Sequence, residues 1–116
     1  MKITEPEVAS YYKKMQIVTA SRHKQITMMH EKCVNLIVRA KKENGPERRK
    51  FLDGAQNILA QFQSALRIED DVSEGLFYLY DYSYMLLQKG GAEDVKKSLQ
   101  VLQILADTFR QLLMRF

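Results

Sequence analysis

Apolar residues recur every three to four positions through most of this chain, which is the spacing of one helical face. The first stripe runs Ile26, Met29, Cys33, Leu36 with Ile37, and Ala40. A second runs Phe51, Ala55, Ile58, Phe62 and Ala65, with Leu52, Leu59 and Leu66 beside it. A third holds Leu76, Tyr80, Ser83 and Leu87. The fourth steps 4-3-4-3-4-3 through Val95, Leu99, Leu102, Ala106, Phe109, Leu113 and Phe116. These patterns predict helices near 21–43, 47–68, 72–89 and 92–115. A short helical segment is expected over 6–16.

The breakers fall between the stripes. Asn44-Gly45-Pro46 and Gly90-Gly91 read as turns, and Asp70-Asp71 ahead of Val72 as a helix start. Acids open the third and fourth helices, at Asp70, Asp71, Glu74, Glu93 and Asp94. Bases close all four, at Lys41, Lys42, Arg67, Lys89, Arg110 and Arg115, as the helix dipole favours. Helices of similar length joined by short turns form an antiparallel up-down four-helix bundle. The expected fold is therefore all-α. A short N-terminal helical or extended cap segment (1–18) leads into a bundle (19–116), and the whole of 1–116 is one domain.

The run FYLYDYSYM, 77–85, alternates with period two and is rich in tyrosine, as a strand would be. No second strand candidate exists to pair with it. On a helix the alternation separates into two i,i+4 pairs on opposite faces. Tyr80 and Tyr84 share the face of Leu76 and Leu87, and Tyr78 and Tyr82 point outward.

Composition narrows the class. With 116 residues and 46% apolar content the chain supports one ordinary core. It has no apolar run long enough to span a membrane. The start, MKITEPEVAS, lacks the apolar stretch of a signal peptide, and the single cysteine, Cys33, forms no internal disulfide. Both features fit the cytoplasm. The net charge of +4 is uneven: the first 50 residues carry 12 Lys and Arg against 5 Asp and Glu, and the rest carry 6 against 9. Oppositely charged helices lying side by side account for this. A basic module binding nucleic acid through 13–50 is the competing reading.

Chemistry is sparse. His23, His30, Glu31 and Cys33 are the only candidate metal ligands, and they lack the paired Glu-x-x-His pattern of a bundle metal site. Cys33 lies in the apolar stripe. Gly90-Gly91 has no phosphate-loop spacing, and Glu69-Asp70-Asp71 reads as a helix cap. The expectation is a protein with no catalysis and no cofactor.

Excess apolar surface is more informative. The fourth helix carries a second stripe, Val101, Ile104, Leu105, Thr108 and Leu112, about 80–180° round from the first. It suits a broad core face, a homodimer seam, or a groove for a partner helix or peptide. The lead, with Val8, Tyr11, Tyr12, Met15, Ile17 and Val18, is too apolar for a free tail and too short for a stable isolated helix. It is expected to pack on the bundle.

The order Tyr12-x-x-x-Gln16-Ile17-Val18-Thr19-Ala20-Ser21, then Ala55-Gln56-x-Ile58, Ser64-Ala65-Leu66 and Leu79-Tyr80-Asp81-Tyr82 resembles the flagellin-specific export chaperones, the FliS family. The resemblance covers about residues 8–113. It departs at Arg22, where the family usually has proline, at Met29-His30-Glu31-Lys32, and at Phe109, where tryptophan is common. The family implies a cytoplasmic helical bundle that binds the disordered C-terminal segment of flagellin and prevents premature polymerisation. It would deliver flagellin to a component of the flagellar type III export gate, with a co-chaperone as a further candidate partner. Nucleic acid and membrane insertion are not implied, and the assembly is a monomer or a homodimer. The expected partner-binding residues are Tyr12, Tyr78, Tyr82, Val101, Leu105, Thr108 and Leu112, with Tyr12 anchoring the lead as a movable cap over the groove.

Overall fold

The computed structural model describes residues 4–113; the side chains of residues 17–20, 112 and 113 lie outside the description. Four helices follow in order: α1 (Glu5–Lys41), α2 (Gly45–Ala65), α3 (Asp71–Lys89) and α4 (Ala92–Leu113). No strand occurs among the described residues, and 77–85 is continuous helix. Each helix packs on its two neighbours round the ring, α1 on α2 and α4, and α3 on α2 and α4, and among the described residues the backbones approach closely only between neighbours. Connections this short make consecutive helices antiparallel, so the all-α up-down bundle expected from the stripes is the observed fold.

Local chemistry sets the helix ends. Thr4 caps α1 by accepting the Glu7 N–H at 3.4 Å, with proline in the first turn. Asp70 and Ser73 form a reciprocal capping box at the start of α3. The Ser73 N–H donates to the Asp70 carboxylate at 2.8 Å, and that bond is the main reason the carboxyl sits below its ordinary pKa. Gly90 ends α3 in the left-handed conformation, φ +72°, which a side chain would strain. Arg48 and Arg49, in the first turn of α2, donate to Gly90 O at 3.1 Å and Leu87 O at 3.0 Å. They thereby satisfy orphan carbonyls at the C-terminus of α3.

Two expected boundaries are corrected. The segment over 6–16 and the helix near 21–43 are one helix of 37 residues. Neither glycine nor proline occurs between Pro6 and Asn44, so nothing interrupts propagation. At 1.5 Å per residue α1 is about 55 Å long, against about 32 Å for α2 and α4. Its N-terminal part therefore runs past the bundle, and the molecule measures 64 × 27 × 22 Å. Residues 4–16 are exposed throughout, so this stretch is not buried against the bundle as expected; Ile17 and Val18, also expected to pack, have side chains outside the described residues. The second correction is at α2, which ends at Ala65; Arg67 lies beyond it and no base occupies its last turn.

The core follows the stripes. Cys33, Ile37 and Ala40 meet Leu52, Ala55, Ile58, Leu59 and Phe62 from α2, and Tyr80, Leu87, Val95, Leu99 and Leu102 complete the cluster. Ile37, Leu59, Leu87 and Leu102 are fully enclosed, so truncating any of them to alanine costs about 2–5 kcal/mol. Tyr80 is 2% exposed and Tyr78 61%, the inward and outward split expected for the tyrosine run.

Candidate partner-binding surface

The buried polar groups are structural. His30 is fully enclosed, stacked on Phe62 at 4.2 Å and on Phe109 at 4.6 Å between ring centroids. Its Nδ1 lies 2.8 Å from Ile26 O, a carbonyl that can only accept, so Nδ1 carries the proton. Nε2 therefore accepts from the Tyr80 hydroxyl at 2.9 Å. Burial lowers the pKa of His30, offset in part by the Ile26 bond, and keeps the ring neutral. Burial likewise raises Tyr80, helped by nearby Cys33, and pushes the Cys33 thiol up to about 12. With Cys33 Sγ facing Ala55 O at 3.7 Å, this thiol is a core group and not a nucleophile. Among the described residues no three His, Cys, Asp or Glu side chains gather as a metal cluster.

Hydrogen bonds orient the flanks of α3 and α4. On α3, Tyr84 O and the Gln88 side chain accept from Gln56 of α2 at 3.2 and 2.9 Å. Gln63 of α2 donates to Asp81 at 3.4 Å. That flank faces α2, so the opposite one, with Val72, Gly75 and Leu79, turns toward α4. On α4, Arg110 pairs with Glu31 of α1 at 2.7 Å and with Asp107 at 3.0 Å. These three and Asn35 and Gln103 line a polar recess of about 500 Å³ between α1 and α4. The opposite flank of α4, with Val101, Leu105 and Thr108, turns toward α3.

The α3–α4 side is therefore apolar around Val72, Leu79, Tyr82, Val101, Ile104 and Thr108, with Lys97 and Asp94 on the same flank of α4 only in the turns before Val101. Val72, Gly75, Tyr78, Leu79 and Tyr82 are exposed on α3, and Ile104 and Thr108 on α4, with Val101 half-buried between them. Ile104 is 67% exposed. Thr108 donates its hydroxyl to Ile104 O at 2.8 Å, satisfying its one polar group within its own helix. Gly75 has open space where a Cβ would stand.

Three expected partner residues thus share one face, Tyr82, Val101 and Thr108, while Tyr78 is exposed about 100° round from Leu79, toward the α2 flank. Leu105 is corrected to core, at 8% exposure. It lies three residues after Leu102 and only about 60° round from it, which carries it beneath the seam. The Leu112 side chain lies outside the described residues. Tyr12 is 65% exposed on the projecting lead and is not brought to this face. The sequence reading passed over Val72, Gly75 and Leu79 as surface candidates. The absence of any charge at 75–80 was the available signal.

No helix among the described residues is long and apolar enough to cross a membrane. The basic first half is partly consumed internally: Arg48 and Arg49 bond to α3, and Arg39 stacks over the Phe51 ring at 4.6 Å. In comparisons with known proteins, residues 5–114 match the family model described as flagellar protein FliS, while no curated protein and no solved structure gives a match. A match that spans all four helices, from the start of α1 to the end of α4, places the chain in the FliS family of flagellar proteins, and it belongs to that family.

Proposed function

We propose that this protein is a cytoplasmic export chaperone that holds the disordered C-terminal segment of flagellin on its α3–α4 face. The observation that carries the reading is the uncharged apolar surface of Val72, Leu79, Tyr82 and Ile104 in a member of a flagellar protein family. An amphipathic segment laid along it as a helix presents apolar side chains at i, i+4 and i+7. Fully burying one such side chain contributes about 1.5–3 kcal/mol. Ordering a disordered segment costs about 2–5 kcal/mol. A few anchors in the seam therefore suffice for binding that is firm yet releasable at the export gate. Covering the apolar face of the flagellin segment keeps it from polymerising. No step requires catalysis or a cofactor.

Titration calorimetry with a flagellin C-terminal peptide tests this. The expected signature is a negative heat-capacity change with little dependence on salt, and a gain of helicity in the mixture. Leu79→Glu should abolish binding while circular dichroism of the free protein stays unchanged. Normal binding by Leu79→Glu would overturn the assignment of the face. Steeply salt-dependent binding to DNA or RNA, without peptide binding, would favour the nucleic-acid reading instead.

A further inference from the structure

We infer that the projecting start of α1 is a self-association element, through which two copies of this chain pair as antiparallel helices. Val8, Tyr11 and Tyr12 lie within about 100° of arc on one side of the lead. Both tyrosines are more than 60% exposed, with their rings set edge to face at 6.2 Å. Together with Glu7 they bound an open apolar recess of about 390 Å³, which is room for a side chain from another helix. A helix this apolar on one side and this far from the bundle gains by covering that side.

Charge selects the occupant. In a two-fold pair, if residue i of one copy meets residue j of the other, then j meets i. Placing the axis between residues 10 and 11 sets Val8 of one copy beside Tyr12 of the other, within one residue of level. Glu7 and Lys14 are seven residues apart and so lie on the same flank of the helix. In this register each Glu7 comes level with Lys14 of the other copy, giving two reciprocal ion pairs around the apolar centre. A parallel pair would turn the flank of Glu7 and Lys14 toward the opposite flank of the partner, where Glu5 and Gln16 stand, so neither charge would meet its opposite. The apolar stretch of the α3–α4 face, Val72, Leu79, Tyr82, Val101, Ile104 and Thr108, has no charge to offer either residue. A second lead is thus the surface that answers both the apolar side and the charges.

Sedimentation velocity on the full chain over a concentration series is the test. The wild type should pass from monomer to dimer. Glu7→Lys alone and Lys14→Glu alone should each weaken the dimer by roughly tenfold, because each turns two attractions into repulsions. The double variant Glu7→Lys/Lys14→Glu should recover wild-type association, and Tyr12→Glu should be monomeric at every concentration. All four should keep their helicity, since the lead touches none of the core. Their flagellin-peptide affinity in excess of any dimer should match wild type, which separates this result from the fate of the chaperone reading. A wild type that stays monomeric, a double variant no better than the single ones, or a Tyr12→Glu protein that still dimerises would each overturn the pairing.

Discussion

The two flanks of α4 solve the same packing problem in opposite ways. Toward α1 the seam is closed at its rim by Arg110, which bridges Glu31 and Asp107 over a polar recess. Toward α3 the rim has no ion pair among the described residues, and Val72, Leu79, Tyr82 and Ile104 stand uncovered. The hydrophobic effect alone would favour covering the second seam at least as much as the first. The bundle finishes one side with charge and leaves the other apolar, and the proposed ligand face rests on that contrast. Both flanks rest on one continuous core, so function is decided by the rim and stability by what lies beneath it.

That separation can be broken in steps. The largest effect is expected just below the dry rim. Leu105→Glu would bury an unpaired carboxylate, at a cost on the order of 3–5 kcal/mol against a total stability of about 5–15 kcal/mol. Thermal denaturation should show a protein that is largely unfolded or melts far lower. At the rim itself, Tyr82→Ala should leave the melting temperature nearly unchanged and weaken flagellin-peptide binding by about 1–2 kcal/mol, read by calorimetry. If Tyr82→Ala instead destabilises the fold, rim and core are not separable on that side.

A third test reaches the core by acid. His30 is held neutral, with its folded pKa below the unfolded value of about 6.5. Below pH 6.5 the unfolded chain takes up a proton that the folded chain refuses. Stability is therefore intact above about 6.5 and lost as pH falls toward the lowered folded value. Urea melts between about pH 7.5 and 5 should show this slope, and His30→Phe should flatten it. The smallest effect belongs to the charged rim. Glu31→Gln removes an exposed ion pair, so both melting temperature and peptide affinity should stay within experimental scatter. A large loss of peptide binding in Glu31→Gln would move the site to the wrong flank.

Much of this architecture was legible in the sequence because it is local. The 3.6 period, Asn44-Gly45-Pro46, the capping Asp70 and Gly90 mark the helices and turns without reference to distant residues. The same period placed Tyr80 inward and Tyr78 outward. Leu105 was misplaced for a physical reason: two adjacent apolar stripes on one helix have equal claims to burial, and only the position of α3 decides between them. The lead was divided from α1 because its apolar face invited a packing partner, although no residue there stops a helix. Long-range polar contacts were not readable at all. Arg49 reaches across to Leu87 O, and His30 meets Tyr80 fifty residues away, and neither pairing leaves a periodic trace.

Gly75 has a consequence for how this protein could change. A glycine inside a helix costs about 1 kcal/mol relative to alanine, and here a methyl group would meet nothing within 4 Å. Gly75→Ala is thus an open route to a more stable free protein. It would also raise the floor of the dry seam where a bulky flagellin side chain would rest. If the seam holds cargo as proposed, thermal robustness and cargo capacity pull this one position in opposite directions.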